Sequence, residues 1–221
     1  MAMRKALTGL LMVCASFVPG FAQASEVVIA ALGDSLTQGY GLMQSDGFVP
    51  QLEGWLEQQG AEVRLINAGV SGDTTAGGLS RVDWTLTPDV DAMIVTLGGN
   101  DLLRGLSPEQ ARSNLEGILK AAEAADVEVL LIGLEAPGNY GEAYKQQFDA
   151  IYPELAEAYG TGYLATFFAG LIEEGETAEP AKLGVWFQAD GIHPNPEGVK
   201  RIVTAVGPLV LELIENVEAV D

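Results

Sequence analysis

Four short polar segments hold most of the residues able to do covalent chemistry. Gly33-Asp34-Ser35-Leu36-Thr37 brings a hydroxyl, Asn67-Ala68-Gly69-Val70-Ser71-Gly72-Asp73 a glycine-rich turn, and Gly98-Gly99-Asn100-Asp101 a carboxamide. Asp190-Gly191-Ile192-His193-Pro194-Asn195 brings the one imidazole of the 221-residue chain. A serine hydroxyl is a weak nucleophile until a base takes its proton. With a single histidine, that base for Ser35 has to be His193. Asp190 stands three residues earlier on the same loop, where it can fix the imidazole tautomer and stabilise the imidazolium. A tetrahedral oxyanion needs donors aimed at it. The backbone N–H groups of Ser35 and Gly72 and the side-chain amide of Asn100 are the candidates. The chemistry such a set can perform is acyl transfer. The window around Ser35 lacks the second glycine of the G-x-S-x-G elbow of α/β-hydrolases, so that fold is a poor fit.

These segments need elements to bring them together. Apolar runs at Val27–Leu32, Val63–Ile66, Ala92–Leu97, Val127–Leu134 and Tyr163–Phe168 read as five strands. Helical patterns fill the gaps: Phe48–Gln59, Thr74–Leu86, Ser107–Ala125, Tyr140–Tyr159 and Pro196–Val217. Asp73 is placed to cap the second of these helices and Ser107 the third. Pro153 is expected to kink or break the fourth, and Pro208 to bend or interrupt the last. Residues 169–189 read as a loop-rich excursion. Strands that are apolar throughout are buried on both faces, so the expected class is α/β, a parallel sheet between two helical layers (a three-layer αβα sandwich). Ligands of open parallel sheets bind at the carboxyl ends of the strands, where the polar segments fall.

Composition narrows the field. The chain is 48% hydrophobic, enough for a core, and carries 31 acidic against 11 basic residues, a formal net charge of −20. Such a surface repels phosphate backbones and anionic headgroups, so no nucleic-acid partner is expected. One cysteine and one histidine support neither a disulfide nor a histidine-rich zinc site, and no metal or other cofactor is expected. Residues 1–24 have a basic start, an apolar stretch and the small-x-small sequence Ala22-Gln23-Ala24, the pattern of a cleaved export signal. Residues 25–221 then form a single domain without cysteine, periplasmic or secreted, with no stable membrane anchor and monomeric.

Taken together, GDSLTQGYG, NAGVSGDTT, GGND and DGIHPN resemble the four sequence blocks of the SGNH (GDSL) hydrolases, from about Val28 to beyond His193. GGNDLLRG, APGNYG and AIYPELA bring the chain nearest to the periplasmic arylesterase, acyl-CoA thioesterase I and lysophospholipase branch. The resemblance implies a flavodoxin-like five-stranded sheet of order 2-1-3-4-5. It implies Ser35, Gly72, Asn100 and His193 as the name-giving residues, with Asp190 completing the triad. The activity implied is hydrolysis of small acyl esters, such as aryl esters and short to medium acyl esters, extending to lysophospholipids and acyl thioesters.

An acyl substrate needs an apolar wall. Phe48, Leu102, Ala136, Pro137 and Trp186 are expected to provide it, with Leu36, Leu103 and Phe187 flanking the same segments. By the resemblance, Phe48 and the Ala136–Pro137 loop fall where the family's acyl chain lies. Two other readings remain open on the same fold: an O-acetyl-carbohydrate deacetylase, and a non-catalytic lipid- or carbohydrate-binding protein.

Overall fold

The computed structural model describes residues 26–172 and 183–220; residues 1–24, expected to be an export signal, and Cys14 lie outside them. Five parallel strands form one sheet: β1 (Val27–Gly33), β2 (Val63–Gly69), β3 (Ala92–Thr96), β4 (Glu128–Ile132) and β5 (Gly162–Leu164), in the order β2-β1-β3-β4-β5. The register pairs Gly33 with both Gly69 and Thr96, so the first three strands end at one level. The chain reverses its winding between β1 and β3, which opens a crevice at that edge.

The central strands form because their side chains are apolar on both faces, while β2 and β5 at the edges are partly exposed. All seven residues of β1 and all five of β3 are buried. Between the strands run α1 (Ser35–Gln38), α2 (Phe48–Gln58), α3 (Thr75–Thr85), α4 (Gly99–Arg104), α5 (Pro108–Ala124), α6 (Glu142–Asp149) and α7 (Ile151–Tyr159), and α8 (Pro196–Val220) follows β5. Helix α2 packs on α8, and α3 packs on α5. Leu52 and Leu56 of α2 and Leu115 and Ile118 of α5 are fully enclosed. The Ser107 hydroxyl accepts the Gln110 N–H, and Pro108 occupies the first turn of α5, where no N–H is needed.

Several boundaries depart from the sequence expectation. Asp73 does not cap α3. Thr74 does, accepting the Gly77 N–H at 3.3 Å, because Asp73 is engaged by Arg81 at 2.7 Å. The break expected from Pro153 is present: α6 ends at Asp149 and α7 begins at Ile151, because Pro153 has no N–H to give the Asp149 carbonyl four residues back and its ring crowds that carbonyl. α8 runs unbroken through Pro208, with Val203, Val206, Val210 and Leu213 buried along its length to compensate for the missing hydrogen bond. β5 is only three residues long; the chain has left the sheet before Phe167, which is buried in the core. β2 extends three residues further, to Gly69.

That last glycine controls how closely α1 approaches the sheet. A Cβ on Gly69 would lie 2.3 Å from the Gln38 nitrogen and 2.9 Å from the Asp34 carbonyl oxygen. Both are backbone atoms, so neither can step aside without moving the Asp34–Gln38 turn. Gly69→Ala is therefore expected to destabilise the protein by about 1–3 kcal/mol in urea unfolding. A change within a few tenths of a kcal/mol would contradict this packing.

Candidate active site

Ser35 is the first residue of α1, directly after β1. The preceding Asp34 caps that turn, one carboxylate oxygen accepting the Leu36 N–H at 3.0 Å. Across the crevice, the loop before α8 folds back on itself. Gln188 N donates to His193 O at 2.8 Å, and Asn195 N donates to Trp186 O at 2.8 Å. This loop sets His193 Nε2 2.9 Å from Ser35 Oγ, although the two residues are 158 positions apart. His193 Nδ1 lies 2.7 Å from Asp190 Oδ2. The other oxygen of Asp190 accepts the N–H groups of Ile192 and His193 at 2.9 and 3.0 Å. The imidazole first, then these two N–H groups, hold the Asp190 carboxyl down at about 2. Asp190 is thus an acceptor throughout the working pH range, which favours the tautomer with its proton on Nδ1 and its lone pair toward Ser35.

Gly72 and Asn100 reach the same cavity from the ends of β2 and β3. Gly72 has φ of +85°, a left-handed turn that suits glycine. Among the described residues, neither the Ser35 nor the Gly72 N–H has an acceptor. The Asn100 amide donates one hydrogen to Asp34 Oδ2 at 3.1 Å, and its other hydrogen remains available.

Three side chains brace this arrangement. Arg81 donates to Gly33 O, Ala68 O and Asp73 Oδ2 at 2.7–2.9 Å, tying together the ends of β1 and β2. Arg104 donates to Gly72 O at 2.8 Å. Buried Asp101, next to Asn100, accepts the Thr75 N–H and hydroxyl at 2.8 and 2.7 Å, linking α4 to the start of α3.

The crevice is a cavity of about 670 Å³, and Leu102 and Pro137 line it. Three residues expected in its wall are elsewhere. Phe48 is fully buried, edge-on to Phe167 at 5.1 Å, within the core. Ala136 is buried, its N–H bound to Asp149 and its carbonyl to Lys145. Trp186 faces the Arg201 guanidinium at 4.0 Å instead of the cavity. Leu36, Leu103 and Phe187 do contribute to the wall, together with Tyr40, Leu134, Tyr140, Phe168 and Ile192, which the sequence reading passed over. Their signal was position: Leu134 and Phe168 come just after the carboxyl ends of β4 and β5. Among the described residues, no group of three or more His, Cys, Asp or Glu side chains is placed to hold a metal ion.

Residues 31–201 match the GDSL-like Lipase/Acylhydrolase family. The chain is 35% identical to Esterase TesA of Pseudomonas aeruginosa over 202 residues, 91% of this chain and 96% of that protein. It is 35% identical to Thioesterase 1/protease 1/lysophospholipase L1 of Escherichia coli K12, covering 79% of each. The crystal structure of AlinE4, an SGNH-hydrolase family esterase, superposes with a TM-score of 0.69 at 42% identity, covering 86% of this chain and 98% of that one.

Asp34 provides a test of the site's electrostatics. It is 2% exposed, and burial pushes its carboxyl up to about 6 despite the N–H of Leu36 and the amide of Asn100. The folded protein then holds this proton more tightly than the unfolded chain does. Stability falls as pH rises from the ordinary carboxylate value of 3.8 through 6. Asp34→Asn is expected to raise unfolding stability at pH 7 by about 1–2 kcal/mol, the relieved charge burial less one lost hydrogen bond. The difference should shrink toward zero as pH approaches 4. Equal urea midpoints at pH 7 would contradict this assignment.

Proposed function

This chain belongs to the GDSL-like lipase/acylhydrolase family, and we propose that it hydrolyses carboxylic esters through an acyl-enzyme on Ser35. One observation carries this reading: the Ser35–His193–Asp190 chain of contacts, at 2.9 and 2.7 Å, opens onto an apolar cavity. His193 Nε2 takes the hydroxyl proton as Ser35 Oγ attacks the ester carbonyl carbon. The negative charge that develops on the carbonyl oxygen meets the N–H groups of Ser35 and Gly72 and the Asn100 amide. When the tetrahedral species collapses, the C–O bond to the alcohol breaks and the imidazolium gives the alcohol its proton. Water, deprotonated by the same imidazole, then attacks the acyl-serine; the acyl C–Oγ bond breaks, the imidazolium returns its proton to Ser35 Oγ, and the acid is released.

The cavity walls favour an acyl chain longer than acetyl. Leu102, Leu134, Phe168 and Phe187 present hydrocarbon, and each methylene transferred onto such a wall is worth about 0.8 kcal/mol. A net charge of −20 opposes encounter with polyanionic thioesters, so we place neutral and zwitterionic esters ahead of acyl-coenzyme A. Export by the residue 1–24 segment fits that preference, since coenzyme A is an intracellular currency. No helix among the described residues is long and apolar enough to cross a membrane.

Two measurements test the proposal. Ser35→Ala is expected to lower kcat by at least about 10³-fold with unfolding stability retained; activity within tenfold of the parent would refute Ser35 as the nucleophile. Across a series of p-nitrophenyl esters, kcat/KM should rise from acetyl toward medium chains. Activity confined to acetyl esters would instead favour a deacetylase.

A further inference from the structure

The imidazole of His193 is engaged on both edges and on one face. Nδ1 meets Asp190 and Nε2 meets Ser35. Against its face lies the ring of Tyr40, centroid to centroid at 4.6 Å with the planes inclined by 38°. Tyr40 belongs to the nucleophile's own segment: its N–H donates to Ser35 O at 3.1 Å, closing the turn after α1. Its carbonyl accepts the Gln188 side-chain amide at 2.8 Å, and that amide also reaches Pro194 O at 3.0 Å. Gln188 N in turn donates to His193 O. One glutamine thus ties the backbone beneath the tyrosine to the carbonyls of the histidine and the residue after it.

From this we infer that Tyr40 is a positioning residue for His193, its ring face holding the imidazole in line with Ser35 and stabilising the imidazolium formed during acyl transfer. The role rests on the ester-hydrolase reading above for its catalytic consequence, though not for its electrostatic one. An aromatic face attracts a cation held within about 6 Å of its centroid. Tyr40 is 52% exposed, and its hydroxyl makes no hydrogen bond among the described residues, so the face rather than the O–H is the working part. Other groups set the background field at this imidazole: Asp190 on its own loop, buried Asp34 behind Ser35, and Glu135 and Tyr140 from the segment after β4 that lines the cavity. None of them is altered by a change at position 40.

The chain holds one histidine, so its ring signals in NMR are unambiguous. The experiment follows those signals against pH in the parent, Tyr40→Phe and Tyr40→Leu, alongside kcat and KM on p-nitrophenyl acetate. In Tyr40→Leu the midpoint of the imidazole titration and the acid limb of kcat/KM should both move to lower pH by about half a unit. kcat should fall two- to sixfold with KM changed less than twofold. Tyr40→Phe should match the parent in both. Tyr40→Met supplies a second non-aromatic side chain should the leucine variant fail to fold. Titrations of the leucine or methionine variant that coincide with the parent would overturn the inference, as would a phenylalanine variant as impaired as they are. A shifted titration in a protein whose parent hydrolyses no ester would refute the proposed activity and leave Tyr40's hold on the imidazole standing.

Discussion

The 2.9 Å contact between Ser35 Oγ and His193 Nε2 is the constraint the molecule is organised to satisfy. Neither residue holds the other in place by itself; one hydrogen bond contributes only about 1 kcal/mol net. Their placement comes from the scaffold. Ser35 is set by a fully buried strand and a turn pressed against Gly69. His193 is set by a loop whose backbone bonds close on themselves and which is fastened to α8 through Asn195, where Val199 N meets Asn195 O at 2.9 Å. The core thus delivers two rigid rims, and the reacting atoms sit where the rims meet.

The groups proposed as oxyanion donors obey the same logic with polar instead of apolar bracing. Gly72 and Asn100 sit on different strand ends, and their separation is governed by Arg81, Asp101 and Arg104, each bonded to backbone or side chain of a neighbouring segment. Preorganised donors are effective because they need not reorient as charge develops. The cost is visible at Asp34, a carboxylate buried against Ser35 whose charge the protein would more easily do without. It is retained at the point where it holds the Asn100 amide, so stability and site geometry pull in opposite directions there.

Much of this was legible in the chain before any coordinates. The strands show as apolar runs, although only β1 and β3 turn out buried along their whole length and the edge strands β2 and β5 are partly exposed, and the lone imidazole leaves one choice of base. The four polar segments fall after strands, so the topology of a parallel sheet carries them to one edge. The strand order itself came from resemblance to known blocks, because periodicity does not say which strand lies beside which. The cavity wall was the least legible part. Phe48 and Leu102 are equally apolar in sequence, yet one is enclosed against Phe167 and the other faces the crevice. Hydrophobicity specifies that a side chain leaves water, and tertiary packing decides whether it does so in the core or against a ligand. The two prolines divide along the same line: the break before Pro153 follows from its own missing N–H and was legible, whereas the unbroken run through Pro208 depends on burial along the rest of α8, which is not a local property.

Covalent trapping tests the central claim most directly. The protein is treated with a fluorophosphonate, digested, and the adduct located by peptide mass mapping. The account predicts one adduct per chain, on Ser35, with ester hydrolysis lost in proportion to labelling. An adduct on any other residue, or hydrolysis that persists in fully labelled protein, would contradict it.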